Sequence, residues 1–340
     1  MIVILPFLGV VSLFTLASKN RYLIFLCSCL LIFCMWILFG FSETPDLPNY
    51  RMIYNQSNLY SPLEVFTDYY GRDIGYIFIN SIFSYLGFDF DFFHAILAGF
   101  WLWAMVYFSR KVTKSTLMIL FLYFLWPFFI DVIQIRAMIV NLMVFIAIYA
   151  YSKDERLALG KAILTIILAG SIHSMAFIYL PFFILRKIFY TKIGITIALI
   201  LSILMPIYIV FVGNYLASVI NLFVYLQGND TISSFSKYDL TITGFEKYAR
   251  WLYVNGVLAL MYFMKKQIDV ILSTKSTKDI FIRRYFTNCY TMSLYTSCFM
   301  PLYAMTGAEF GRIERCFLIA FIVALVSYIN MALSQQMVDF

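Results

Sequence analysis

The sequence predicts an all-α polytopic membrane protein, and three observations carry that prediction. Of 340 residues, 63% are hydrophobic and only 13% are charged, more apolar surface than a soluble core of this length can hide. Mean hydropathy is +0.85. Apolar stretches of membrane-crossing length recur from one end of the chain to the other. Residues 1–340 therefore read as a single integral-membrane domain with about nine full spans. Short or re-entrant helices are expected at 74–87 and 162–185, and large extracytoplasmic loops at 42–73 and 214–248.

Residues 2–17 make the first span. No basic segment precedes it and the first cation, Lys19, follows it, so it reads as an uncleaved span with its N-terminus outside. A basic turn at 18–21 leads into the second span, 22–41. The polar segment 42–73 carries five acids and two arginines, and the next stretch, IGYIFINSIFSYLG (74–87), is too short and too polar to cross comfortably. Residues 92–109 cross and end at Arg110, Lys111 and Lys114. Residues 115–130 and 132–151 form a tight helical pair pivoting on Trp126-Pro127 and Asp131, followed by a charged turn at 152–161.

The apolar run 162–185 is interrupted by GSIHS at 170–174, so it reads as two half-helices. Irregular backbone at membrane depth survives only where protein buries it or where it lines a watery cavity, which makes the break at His173 an expected cavity wall. A basic turn at 186–192 precedes a span at 193–212 and then the second polar loop. Residues 249–264 cross to the most basic stretch, 265–284, and two last spans, 285–305 and 313–332, are joined by TGAEFGR.

Placing 18–21, 110–114, 152–161, 186–192 and 265–284 in the cytoplasm puts 17 of the 25 Lys and Arg residues there. The other eight are Arg51, Arg72, Arg136, Lys237, Lys247, Arg250, Arg312 and Arg315, all on the outer side or in the outer part of a span. That runs against the positive-inside rule and calls for a use.

Arg136 stands out. With Asp131 marking the membrane edge, five residues of helix place it roughly 7–8 Å inside. It either snorkels to the interface or pairs with Asp131, or it faces an internal cavity that receives an anion. Arg250, Arg312 and Arg315 also sit near outer ends of spans, and guanidiniums gathered on one cavity would repel unless an anion joined them. A planar fork that stays charged suits phosphate oxygens, and the anion expected at that depth is a lipid-linked phosphate or pyrophosphate. The plainer alternatives are a pairing of Arg312 with Glu309 and interfacial anchoring for Arg315 and Arg250. His173 serves either as a general base or as an interhelical polar contact, and His94 as an interfacial residue. Glu43, Asp46, Asp68 and Asp73 crowd the first outer loop as candidate sugar ligands or bases, although most acids in a solvated loop are neither.

Other chemistries find little support. There is no GxxxxGK[ST] and no GxGxxG opening a helix, so nucleotide-driven transport is not indicated. Two distant histidines and six cysteines without CxxC spacing argue against a zinc site and against disulfides. DFD at 89–91 is a weak acidic pair that the topology places away from the outer cavity. The net charge of +7 is spread over short loops between spans, which is not a nucleic-acid signature. Twenty-six tyrosines, 36 phenylalanines and five tryptophans suit interfacial belts and bundle packing, and aromatics also form platforms for sugars.

The order of several short motifs resembles the EpsG/Wzy-like family of bacterial O-antigen and exopolysaccharide polymerases. These are Asp46 with Tyr50 and Tyr54, Asp73-Ile74-Gly75-Tyr76, Gln134-Ile135-Arg136, His173-Ser174-Met175-Ala176, Arg250 after the second large loop, and Arg312 opening the last span. The resemblance implies a glycosyltransferase of the bacterial cytoplasmic membrane, its active site facing outward, that joins repeat units carried on undecaprenyl pyrophosphate. No cofactor or metal is expected. The implied partners are undecaprenyl-pyrophosphate-linked oligosaccharide, membrane lipids and a chain-length regulator protein, not nucleic acid. Catalytic roles are expected for His173, Arg136, Arg250 and Arg312, and substrate contacts for Arg315, Gln134, Tyr50, Asp46, Asp73 and Tyr76. The competing readings are another polyprenyl-phosphate-dependent glycosyltransferase using Glu43 or Asp46, an O-antigen ligase, and a lipid-linked oligosaccharide flippase.

Overall fold

The computed structural model describes residues 20–69, 71–153, 155–204, 244–272, 276–300 and 308–336, with the side chains of 244–247, 308–312, 314, 335 and 336 left undescribed. Every element among the described residues is helical. The chain divides into two compact units, 1–180 with 318–340, and 181–317.

The first unit begins with α1 (Arg21–Phe41), capped by the Asn20 side chain, which accepts the amide hydrogens of Tyr22 and Leu23. The expected loop 42–73 contains α2 (Leu47–Ser57) and a 3-10 turn (Glu64–Phe66), and α3 (Ile74–Tyr85) follows. At about 18 Å, α3 is well short of the roughly 30 Å hydrocarbon core. α4 (Phe90–Val112) packs along α1, where Gly40 lies so close that an added Cβ would stand 3.2 Å from the Ala95 Cα. The Trp36 indole donates to the Ala95 carbonyl across that seam at 2.8 Å.

α5 (Thr116–Leu125) and α6 (Pro127–Ile133) are bent by 65° at Trp126, where Pro127 opens the second segment. A second break follows at Gln134, and α7 (Ile135–Ser152) starts one residue before Arg136. The expected continuous span 132–151 is thus corrected. Arg136 lies in the first turn of a helix, a position where the helix dipole disfavours a cation and makes a nearby carboxylate more valuable. Asp131 is not at an exposed edge either. It is buried, accepting the Tyr123 hydroxyl and, at 2.7 Å, the Asn141 amide. The Tyr123–Asp131–Asn141 cluster ties the bent pair to α7, which α8 (Ala158–Ile172) covers. His173 is extended (φ −149°, ψ 117°) and a 3-10 turn (Ser174–Tyr179) takes over, so the chain does break at GSIHS.

After α9 (Leu180–Leu185) and a 3-10 turn (Arg186–Tyr190), the second unit comprises α10 (Lys192–Ile203), α11 (Gly244–Ile271) and α12 (Thr277–Ser297). The Trp251 indole donates to the Ser202 carbonyl and the Ser202 hydroxyl to Asn255, joining α10 to α11. α12 buries Asn288, Thr291, Ser293, Thr296 and Ser297. Its Thr and Ser hydroxyls donate to carbonyls three or four residues back, so they are satisfied within the helix. α13 (Ala308–Gln336) opens in this unit and ends in the first, where Asn330 hydrogen-bonds Thr113 and Ser115.

Four described helices are long and apolar enough to cross a membrane, Arg21–Phe41, Phe90–Val112, Ile135–Ser152 and Arg315–Ser334, or five if the bent pair is one span. The nine full spans are not reproduced among the described residues. α11 and α12 are not among these candidates, and α12's polar residues lower its mean hydropathy. The expected span 2–17 and the loop 214–248 up to residue 243 lie outside the described residues, as does the end of the span 193–212. The six cysteines are free, with Cys27, Cys289 and Cys316 buried.

Replacing Asp131 with alanine strands two buried donors, so Asp131→Ala should destabilise the detergent-solubilised protein by about 2–4 kcal/mol. Tyr123→Phe, which strands one acceptor position only, should cost less. Thermal unfolding of the three proteins checks this, and equal midpoints would contradict the structural role given to Asp131.

Candidate functional site

Asp73 is the described non-glycine residue with positive φ (φ 61°, ψ 40°). That conformation costs of order 1 kcal/mol even for aspartate, which tolerates it better than most residues. It occupies the N-cap position of α3, yet its side chain does not cap the helix. Instead the carboxylate turns outward. Oδ2 accepts Arg136 Nη1–H, and Oδ1 accepts the Ser174 amide at 2.9 Å. The His173 Nδ1 stands 4.0 Å from the same Oδ1. Three stretches remote in sequence, 73, 136 and 173–174, therefore meet on one carboxylate.

Gly75 permits that meeting. A Cβ there would fall 2.2 Å from the Ser171 Oγ and 3.0 Å from its backbone carbon, so α3 approaches the end of α8 as closely as backbone allows. The aromatic members of the same motifs stand around the guanidinium. Arg136 Cζ lies 5.8 Å from the Tyr50 ring and 6.0 Å from the Tyr76 ring, and the two rings meet edge to face. Arg136 Nε is buried without a hydrogen-bond partner among the described residues.

Above this floor opens a cleft of about 400 Å³, its mouth included. It is lined by Asp73, Tyr76 and Arg136 together with Ile53, Gln56, Ser57, Tyr60, Tyr69, Arg72 and Ile77. Tyr50 and His173 flank the cleft without lining it. Asp46 stands at the N-cap of α2 and makes no capping bond, and Gln134 forms the hinge between α6 and α7. Among the described residues, no three of His, Cys, Asp and Glu gather as a metal-binding group.

The other expected arginines belong to the second unit. Arg250, on α11, and Arg315, on α13, are half-buried there, and the Arg312 side chain lies outside the described residues. The acidic pair at 89–91 proves structural, and it is not remote from the first polar segment. Asp89 caps α4 through the Phe92 amide, while Asp91 shares Arg51 with Glu43 at 3.0 Å each. These two carboxylates, hydrogen-bonding Arg51 from both sides, raise its pKa. His94, in the first turns of α4, is buried in the protein, stacked on Phe90 and edge-on to Phe39.

Sequence reasoning missed the carboxylate that Arg136 uses and the tyrosine walls of the cleft. The signal for the first was present in Asp73-Ile74-Gly75, an acid followed by a residue small enough for close approach. Gly75→Ala should push α3 off α8, loosen the Asp73–Ser174 bond and lower the thermal midpoint. Adding Ser171→Gly, which removes two of the three clashing atoms, should recover part of the loss. Absence of any recovery in melting experiments would show that the close approach is not what Gly75 supplies.

Neither a curated protein nor a solved structure matches the chain. A family model described as EpsG family does, over residues 25–337, which takes in both units and all of the motifs above. With its membrane-length apolar helices, the chain belongs to the EpsG family and is a polysaccharide-polymerase-like membrane protein.

Proposed function

We propose that the protein is a glycosyltransferase that polymerises oligosaccharide repeat units carried on undecaprenyl pyrophosphate, at the outer face of the bacterial cytoplasmic membrane. One observation chiefly supports this reading. The Asp73 carboxylate brings a histidine, an arginine and an aromatic-walled cleft together in a helical membrane protein of the EpsG family. A hydroxyl of the incoming unit attacks the anomeric carbon of the donor chain. The bond from that carbon to the pyrophosphate oxygen breaks, and undecaprenyl pyrophosphate departs with the electron pair.

Two demands follow, a home for the hydroxyl proton and compensation for charge growing on the leaving oxygen. His173 takes the proton, and the imidazolium so formed stands 4.0 Å from Asp73, which favours it. Arg136, Arg250 and Arg312 hold the pyrophosphate, with Arg315 a weaker member. Arg136 comes to this task already oriented by Asp73. Tyr50, Tyr76, Asp46 and Gln134 belong to the substrate side. A chain-length regulator is the expected protein partner.

Deletion of the gene should abolish long polymer and leave single repeat units, whereas loss of a flippase or ligase leaves no unit on its final acceptor. Complementation with Arg136→Ala or Arg312→Ala should fail to restore long chains, a loss of at least about 100-fold, while membrane insertion persists. Arg136→Lys should restore little, because a point charge cannot reproduce the fork. Unaltered chain-length ladders in both alanine variants would refute their roles.

A further inference from the structure

The cleft over Asp73 and Arg136 is walled like a sugar site, and we propose that it holds one sugar ring of the acceptor repeat unit, beside the pyrophosphate rather than in its place. This rests on the polymerase reading and assigns the cleft within it. The construction is layered. At the floor, the Asp73 carboxylate stands beside the Arg136 guanidinium, so the side of the pair that faces the cleft offers hydroxyls both acceptors and donors. The walls are Tyr60 and Tyr69, edge to face with centroids 5.9 Å apart, and both are half-buried. Their rings present apolar faces of the kind that sugar C–H groups cover, with polar hydroxyls at the ends.

The Tyr69 wall is fixed rather than loose. Its hydroxyl donates to the Arg72 carbonyl at 3.0 Å and folds over Gly71, where a Cβ would stand 2.2 Å from that hydroxyl. A side chain at position 71 would displace that hydroxyl, and the turn sets Arg72 at the cleft. Burial raises the Tyr69 pKa, in keeping with a phenol O–H committed to the Arg72 carbonyl. At the mouth, the Gln56 and Arg72 side chains are exposed, and among the described residues neither makes a hydrogen bond. Side-chain amide and guanidinium groups at the rim of an aromatic slot are suited to reading the positions of hydroxyls. The cleft is small and open at its mouth, which suits a single ring rather than a whole repeat unit. The neighbouring His173 then stands where an acceptor hydroxyl needs its base.

The test uses the full-length protein in nanodiscs and two probes. One is the lipid-free oligosaccharide released by mild acid from the repeat unit that accumulates in the deletion strain, and the other is inorganic pyrophosphate. Saturation-transfer NMR should show the oligosaccharide bound through ring protons of one sugar. Tyr60→Ala and Arg72→Ala should each weaken binding at least fivefold, and pyrophosphate should not displace it. In polymerisation assays with the extracted lipid-linked unit, the same variants should raise KM with kcat within about threefold of the parent. Failure to bind the oligosaccharide, or its displacement by pyrophosphate, would overturn the sugar assignment, as would binding unchanged in both variants. A parent protein that polymerises while the variants keep their KM would sink this inference and leave the polymerase reading standing. Sugar binding without polymerisation by the parent would do the reverse.

Discussion

A single carboxylate, that of Asp73, is shared between the Arg136 guanidinium and the Ser174 amide. Everything distinctive about the described site depends on that sharing. A guanidinium in the first turn of a membrane helix is unfavourable by burial and by the helix dipole alike, and only a close anion offsets both. The same anion closes the break after α8, because the amide that follows the extended His173 finds its acceptor there rather than in a helix. One residue thus satisfies two groups that would otherwise be costly, and in doing so it fixes the histidine beside them.

The arrangement has costs, and they lie in the elements that deliver Asp73. The residue is left-handed, its helix goes uncapped by its own side chain, and α3 must touch α8 backbone to backbone at Gly75. Together these sacrifice a conformational preference of about 1 kcal/mol and a cap of similar size. Such concessions persist where surrounding packing over-determines them. Here that packing consists of the Tyr50–Tyr76 edge contact on one side and the tight α7–α8 pair on the other. A site held this way is pre-organised: the arginine and histidine need little rearrangement when a substrate arrives.

How much of this was legible in the sequence depended on how loud each residue is in an apolar background. Arg136, Gln134 and His173 interrupt membrane-length runs, so composition alone singles them out, and each falls at a helix boundary or in the first turn. The partner of Arg136 was not legible. Asp131, five residues away, looked nearer than Asp73, 63 residues away, but a bend at Gln134 separates the first pair and Tyr123 with Asn141 claims the carboxylate. Tyr60 and Tyr69 were invisible for a different reason: among 26 tyrosines no single one carries a signal until a turn such as that at Gly71 places it. The span count is met only in part among the described residues, where α12 carries polar residues inside the helix and its hydroxyls satisfy themselves.

The Asp73–Arg136 link is the claim on which the site stands, and a double-mutant cycle measures it most directly. Polymer yield and thermal midpoint would be compared for the parent, Asp73→Asn, Arg136→Gln and the double variant. If the two groups act through each other, the double variant should be no worse than the more damaged single one, with a coupling of at least about 1 kcal/mol. Strictly additive losses would show that the carboxylate and the guanidinium act independently, and would contradict the account.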